Sequence, residues 1–103
     1  MIRVSVLYRN DGGRFDFEYY TKKHIPLVHI LLDPFGLVKT EVDKGIGTVK
    51  PGAPAPFIAV GHMVFNTIEG MQKGLQAHDP QLAADAVNYT DIKPQFQISE
   101  VID

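Results

Sequence analysis

The sequence has 103 residues, of which 45% are hydrophobic and 21% charged, proportions that are ordinary for one globular domain and argue against intrinsic disorder. Ten Lys and Arg against twelve Asp and Glu give a net charge of −2 without a basic block, which excludes an electrostatic nucleic-acid binder. The absence of cysteine excludes disulfides, thiolate metal sites and Cys nucleophiles. No apolar stretch approaches the ~20 residues that cross a bilayer, and no signal-peptide pattern follows Met1. We therefore expect a single domain over residues 1–103, located in the cytoplasm, with no nucleic-acid or membrane partner.

The first third of the chain predicts a strand and a helix. Apolar residues alternate over residues 2–8, which is typical of a β-strand. Asp16 is placed to cap a helix over residues 17–32, where apolar positions recur at helical spacing. Pro26 lies within this apolar stripe and has no N–H, so we expect a kink or break near residues 24–25.

The middle of the chain predicts two strands joined by a loop. Residues 37–45 alternate in the manner of a strand, and residues 45–56 are rich in Gly and Pro and predict a loop. Residues 57–65 form a near-continuous apolar run, which is typical of a strand buried on both faces.

The last third predicts a second helix and a final strand. Asn66 and Glu69 have the spacing of a capping box at the start of the helix. Asp79 and Pro80 are predicted to restart a short helix as its N-cap and first residue, and a strand follows over residues 95–101. The order β-α-β-β-α-β indicates an α+β, ferredoxin-like fold with a four-stranded antiparallel sheet and helices on one face.

Short motifs are spread over nearly the whole chain. They are Phe15-Asp16-Phe17-Glu18-Tyr19-Tyr20, His24-Ile25-Pro26-Leu27-Val28, Pro34-Phe35-Gly36-Leu37, Pro56-Phe57, Phe65, Ala84-Asp85, Tyr89-Thr90-Asp91-Ile92 and Pro94. In this order the motifs resemble the EthD family of the dimeric α+β barrel superfamily. The resemblance implies a ferredoxin-like protomer that closes a barrel with a second copy and holds a ligand between its sheet and its helices.

The resemblance also implies a range of chemistry. The family takes its name from a protein associated with bacterial degradation of ethyl tert-butyl ether alongside a cytochrome P450 system, which makes an oxygenase system one expected partner. Relatives in the superfamily act without a metal on small aromatic or lactone substrates, as isomerases, monooxygenases, and polyketide cyclases or decarboxylases. Others bind haem. The fold alone does not choose among these activities.

The apolar run over residues 57–65 favours a homodimer. Two helices can cover only one face of a four-stranded sheet, whereas a strand that is apolar on both sides needs cover on each. A second copy would supply that cover with two-fold symmetry.

Two histidines are the candidate catalytic residues. His24 lies on the apolar stripe of the first helix, so its imidazole should point to the sheet, where it could transfer protons near neutral pH. The alternative is a buried histidine satisfied by a neighbouring carbonyl or tyrosine. His62 interrupts the apolar run and would partner His24 or bind a substrate oxygen if its face lines the pocket. The alternative for His62 is a strand residue at the subunit interface.

The candidate ligand contacts are aromatic. Tyr20 shares the stripe of His24, and Tyr89 follows a short helix, where loop residues often line a site. Both offer a hydroxyl on an aromatic body, which suits an aromatic or carbonyl ligand, although core packing is the commoner use. Phe57 is the third residue that we assign to ligand binding. Asp85 receives no chemical role.

No metal site is expected. His24 and His29 are five residues apart and therefore ~140° apart around a helix, whereas chelating pairs are three or four residues apart. The sequence has no zinc-binding motif. No cofactor is expected either, and haem is the one alternative because a single axial His suffices for it.

The sequence thus favours an EthD-like protein that binds a small, apolar, oxygenated molecule of aromatic, lactone or polyketide type. The expected reaction is proton transfer without a cofactor: isomerisation, dehydration or decarboxylation. His24 would be the general acid/base, and His62 or Tyr20 would bind the developing oxyanion. The alternatives are a non-catalytic carrier or accessory protein for a degradative oxygenase, and a haem-binding protein.

Overall fold

A computed structural model describes all 103 residues and contains four strands and two long helical regions. The first half contains β1 (Ile2–Arg9), α1 (Phe17–Tyr19), a π-helical segment (Tyr20–His24), α2 (Ile25–Leu32), a 3₁₀ turn (Asp33–Phe35) and β2 (Leu37–Lys44). The second half contains β3 (Phe57–Phe65), α3 (Ile68–Asp85), a 3₁₀ turn (Ala86–Asn88) and β4 (Gln95–Glu100). The strands lie in the order β2-β3-β1-β4, and every neighbouring pair is antiparallel. The prediction of an α+β, ferredoxin-like fold is confirmed.

The strand register assigns side chains to the two faces of the sheet. Val6 pairs with Gly61 and is buried on the face that the helices cover. Side chains alternate between faces along a strand, so the neighbouring pair of Ser5 and His62 lies on the opposite, outer face. No helix of the chain packs on this outer face.

The first helical region begins where the sequence predicts and passes Pro26 without a break. The Asp16 side chain accepts a hydrogen bond from the Tyr19 N–H at 3.0 Å and caps α1. Instead of a break near residue 24, the helix widens by one residue per turn, and the Ile25 N–H donates to the Tyr20 carbonyl. The wider turn gives room to the Pro26 ring, which would clash with a carbonyl in a regular helix.

Two expectations for the second helix are wrong. Thr67, not Asn66, caps α3: its hydroxyl accepts a hydrogen bond from the Gly70 N–H at 3.0 Å. The backbone N–H of Asn66 donates instead to the Gly36 carbonyl at 3.0 Å, so it is not available to the Glu69 side chain as a capping box requires. The helix also does not restart at Pro80 but runs through it. The carbonyl that loses its partner belongs to the exposed residue Gln76, where water can satisfy it.

The core lies between the helices and the sheet. Its largest fully buried side chains are Phe65, Leu32, Met71 and Val4. The helices do not extend over β4, where Phe96 and Ile98 point to the helix side and remain mostly exposed. No helix in the structure is long and apolar enough to span a membrane.

Candidate functional site

A cavity of about 280 Å³ lies between the helix-covered face of the sheet and the helices. Its walls are mostly hydrophobic and include Val6, Met63, Ile25, Val28, Leu82 and Ala86. Asp79, Lys93 and Phe96 line it as well, and their exposure marks its opening. The volume is just below the usual range of ligand pockets, ~300–1,000 Å³, and suits a molecule of one or two rings.

His24 is the buried histidine of this cavity. It ends the π-helical segment, and only 6% of its surface is exposed. Its Nδ1 lies 2.9 Å from Oδ2 of Asp85. Its Nε2 has no hydrogen-bond partner in the protein and is not sealed from solvent, so this atom is free to meet a ligand in the cavity.

Asp85 is held by three donors. Besides the imidazole of His24, the Tyr19 hydroxyl donates to Oδ1 at 2.7 Å and the Asn88 amide donates to the same oxygen at 3.0 Å. Burial opposes ionisation of this carboxyl, but the hydrogen bonds from His24, Tyr19 and Asn88 outweigh it and lower the pKa of Asp85 below its ordinary value of 3.8. Asp85 is therefore a carboxylate at neutral pH.

The ionised carboxylate determines the tautomer of His24. A carboxylate only accepts hydrogen bonds, so Nδ1 of His24 must carry the proton. In the neutral imidazole Nε2 then holds the lone pair. A nitrogen base that faces an apolar cavity and is oriented by a carboxylate behind it has the geometry of a general base.

The position of Asp85 violates a local rule of helix stability. It is the last residue of α3, where the helix dipole disfavours an anion by ~0.3–1 kcal/mol. Residues that break a local preference are expected most often at functional sites. Sequence reasoning missed Asp85 for the same reason: an acidic residue at this position is only a poor cap until its contact with His24 is known.

Three tyrosines, Tyr8, Tyr20 and Tyr89, form what we call the tyrosine cluster beside His24. The hydroxyls of Tyr8 and Tyr89 lie 2.8 Å apart and share a hydrogen bond. The ring centroids of Tyr20 and Tyr89 lie 4.8 Å apart, and those of His24 and Tyr89 lie 4.6 Å apart. The ring of His24 is stacked on that of Tyr20, with centroids 5.4 Å apart and an interplanar angle of 16°. Burial raises the pKa of each of the three phenols. The hydroxyls therefore stay protonated and can donate to a ligand oxygen.

The predicted residues Tyr20 and Tyr89 thus lie together with His24, and Tyr8 joins them although its role was not foreseen. Tyr8 is the last buried residue of the strand alternation in β1, and only the fold brings its hydroxyl to Tyr89. Gly61 completes the arrangement. A Cβ at this position would overlap the Tyr20 hydroxyl, so the missing side chain lets Tyr20 lie against β3.

The structure does not bring the ring of His62 to His24. His62 follows Gly61 along the cavity wall, but its Nδ1 lies 3.1 Å from the Ser5 hydroxyl and its Nε2 lies 3.0 Å from Oδ2 of Asp43. These partners are on the outer face of the sheet. This placement fits the alternative of a strand residue at a subunit interface, and a catalytic role for His62 stays a prediction.

The third predicted ligand contact, Phe57, lies outside the cavity wall. It is the first residue of β3 and is half-buried, and the guanidinium of Arg9 lies 5.8 Å from its ring centroid. It does not line the cavity. Its assignment to ligand binding remains a prediction without a contact to support it.

Metal-ligating side chains do not cluster in the structure. No group of three or more His, Asp or Glu residues lies close enough together to hold a metal ion. His24 and Asp85 form a hydrogen bond with each other.

Comparison with known proteins assigns the family. The model of the EthD domain matches residues 14–93, which is most of the chain and includes Tyr20, His24, Asp85 and Tyr89. The chain belongs to the EthD family. The EthD-like protein of Ralstonia eutropha is 35% identical, with a TM-score of 0.92 over 99% of this chain and 92% of that chain. An EthD-family protein of Bacillus halodurans is 20% identical, with a TM-score of 0.77 over 99% of both chains.

More distant similarity shows the fold alone. A dimeric ferredoxin-like protein from an uncultured marine organism is 12% identical, with a TM-score of 0.56 over 100% of this EthD-family chain and 96% of that chain. No protein of curated function matches the sequence.

Proposed function

We propose that this EthD-family protein binds a small, apolar, oxygenated molecule of aromatic, lactone or polyketide type in the cavity and moves a proton at a carbon next to a carbonyl group. The observation that carries the proposal is the pair of His24 and Asp85 at the cavity wall, 2.9 Å apart. It provides an imidazole that is oriented by a carboxylate and has a free Nε2 in an apolar environment. Isomerisation, dehydration and decarboxylation all begin or end with such a proton transfer.

The proposed step uses only groups of the chain and the substrate. Nε2 of His24 takes the proton from the α-carbon, and the electrons of the C–H bond form an enolate with the carbonyl. The imidazolium that results is stabilised by the carboxylate of Asp85. Return of the proton to another atom of the same molecule completes an isomerisation, and no oxidant or reductant is consumed.

The tyrosine cluster is the proposed site for the enolate oxygen. Its hydroxyls are protonated donors, since burial raises the pKa of Tyr20 and of Tyr89. Donors that are already fixed in an apolar site stabilise a developing oxyanion without reorganisation. The ring of His24 is stacked on that of Tyr20 at 5.4 Å, so the proposed base and a proposed donor are neighbours in the cavity wall.

The size of the cavity bears on the haem alternative. About 280 Å³ is small for a flat tetrapyrrole and its side chains, whereas one or two fused rings are of suitable size. The proposal therefore includes no haem.

We also propose that the working unit is a homodimer formed through the outer face of the sheet. Leu7 and Val60 are half-buried there although no helix covers them. On the same face, Nε of Arg3 is buried and has no hydrogen-bond partner within the chain, so an acceptor from a second copy would satisfy it. A fold relative is described as dimeric. Sedimentation should give a dimer at micromolar concentration, and a stable monomer there would contradict this proposal.

The proton transfer can be tested without the natural substrate. The probe is 2-tetralone, a two-ring ketone with acidic α-protons, dissolved in heavy water with the purified protein. Proton NMR then follows the replacement of the α-protons by deuterium. We expect the wild type to accelerate the exchange and His24→Gln to lose that acceleration by about 100-fold or more, the contribution of a general base.

His29→Gln is the matched control. His29 lies on the same helix and also bonds an aspartate, Asp33, at 2.8 Å, but it does not line the cavity. This variant should exchange at the wild-type rate. Saturable binding of 2-tetralone with no accelerated exchange would overturn the catalytic proposal and favour the carrier alternative.

A further inference from the structure

We propose that the loop of residues 45–56, called the arm below, docks on the groove between α3 and β4 of a second copy and covers the entrance of that copy's cavity. The inference rests on the homodimer proposed above. Beyond the homodimer, the inference specifies a contact between the arm and the groove, and it gives the second copy a part in closing the cavity.

The arm displays apolar side chains that its own chain does not cover. Ile46 and Val49 are 95% and 104% exposed relative to a free residue. Single exposed aliphatic residues are common on protein surfaces. Two fully exposed aliphatic side chains within four positions instead favour a surface that contacts another molecule. Among the ten large hydrophobic residues with exposed side chains, they are the two most exposed.

The arm is fixed at its base and does not line the groove of its own chain. The Gly45 N–H donates to the Ile58 carbonyl at 2.9 Å. On the other side, Asn10 holds the returning chain: its N–H donates to the Pro56 carbonyl and its side-chain amide to the Ala55 carbonyl, both at 3.0 Å. The segment therefore presents Ile46 and Val49 to the surroundings from a defined position.

The groove between α3 and β4 is the matching surface. Phe96 and Ile98 of β4 are 63% and 53% exposed on the helix side of the sheet. Leu75 and Pro80 of α3 form the other wall, and Val4 lies between them. β4 is an edge strand, and the helices leave this strip of apolar surface open.

The topology favours a second copy as the occupant. The arm extends from β2 and β3, whereas the groove lies along β4, at the opposite edge of the sheet. Three strand spacings separate the two edges, about 14 Å. No residue of the arm lines the groove of its own chain, whereas a two-fold pair would fill both grooves at once.

The charges of the two surfaces are complementary. Lys50 is the only charged residue of the arm, and Asp79 is the only charged residue that lines the groove. Neither forms an ion pair within the chain. Docking of the arm would pair a cation beside Val49 with the groove's single carboxylate.

The docking would also complete the candidate site. Phe96 and Asp79 line both the groove and the cavity, at the cavity's opening. An arm seated on Phe96 removes this opening from water, which strengthens the electrostatic interactions of the base inside.

Sedimentation of the full chain tests the arm directly. Ile46→Ser combined with Val49→Ser should raise the dissociation constant of the dimer about tenfold or more, because two apolar anchors are lost. The matched control is Ile30→Ser, a change at a residue of α2 that is 72% exposed and lies outside both surfaces. The control should dimerise like the wild type.

A charge exchange tests the partner surface. Lys50→Glu and Asp79→Lys should each weaken the dimer several-fold at low salt, and the two changes together should restore it. If the wild type is a dimer and none of these changes weakens it, the proposed docking of the arm is wrong, whereas the homodimer proposal is retained. Failure of the double change to restore dimerisation would reject the groove as its partner. A wild type that stays monomeric would overturn both proposals.

Discussion

Asp85 and His24 lie 61 positions apart in the chain, and their side chains meet at 2.9 Å. The contact joins the last residue of α3 to the last residue of the π-helical segment. Both positions are irregular, one because a carboxylate ends a helix and the other because the helix widens ahead of Pro26. The two irregularities together direct one lone pair of His24 into the cavity.

Asp85→Asn should remove a pH-dependent contribution to stability. The pKa of Asp85 is lower in the folded state than its ordinary value because His24, Tyr19 and Asn88 donate to the carboxylate and outweigh its burial. Its contribution is therefore present above about pH 4 and is lost as the pH falls through the lower, folded-state pKa. Between about pH 5 and about pH 3, the wild type should lose more free energy of unfolding than Asp85→Asn.

Urea denaturation at each pH measures this difference. Asp33→Asn is the control, since Asp33 pairs with His29 at an exposed site. Equal losses in the wild type and Asp85→Asn would show that the carboxylate is not stabilised by the fold.

The tyrosines should resist ionisation in the native protein. All four are affected: burial raises the pKa of Tyr8, Tyr20 and Tyr89, and the hydrogen bond to Asp85 raises that of Tyr19. A raised pKa means that their stabilising contribution is full below about pH 10 and is lost as the pH rises through the folded-state values. Phenolate absorbance should stay low in the folded protein at about pH 10.5 and appear on alkaline unfolding.

The same chain unfolded in concentrated urea is the control, and its tyrosines should ionise near pH ~10. Native tyrosines that ionise at the same pH as the unfolded ones would contradict the buried cluster.

Gly61→Ala should destabilise the protein by about 1–3 kcal/mol, because the new methyl group overlaps the Tyr20 hydroxyl. Tyr20→Phe removes the oxygen that occupies this space and should offset most of the loss. The double variant should therefore be more stable than the sum of the single changes by about 1 kcal/mol or more. Thermal denaturation of the four proteins gives the coupling. Additive effects would show that Tyr20 does not lie against Gly61.

Short-range patterns were sufficient to predict the order of the strands and helices and the buried position of His24. Alternation predicts β1, and helical spacing places His24 on the same buried side as Tyr20 and Val28. The details that failed depend on distant contacts. Asn66 and Glu69 have the spacing of a capping box, but the Asn66 N–H donates to the distant residue Gly36, and Thr67 caps the helix.

The rest of the site could not be predicted from one sequence. The face of His62 is undefined in a strand that is apolar on both sides, and the register with Ser5 decides it. Asp85 gains a role only through its contact with His24, and the hydroxyl of Tyr8 only through its contact with Tyr89. Neither contact can be recognised from the residues next to it in the sequence.

The exchange of 2-tetralone α-protons in heavy water, measured for the wild type, His24→Gln, Asp85→Asn and the double variant, tests the His24–Asp85 pair most directly. Asp85→Asn should slow the exchange at least about tenfold, because the imidazole loses its fixed tautomer. The double variant should be no slower than His24→Gln, since Asp85 acts only through that ring. A His24→Gln protein that exchanges like the wild type, or two effects that multiply, would contradict a proton transfer carried by His24 and oriented by Asp85.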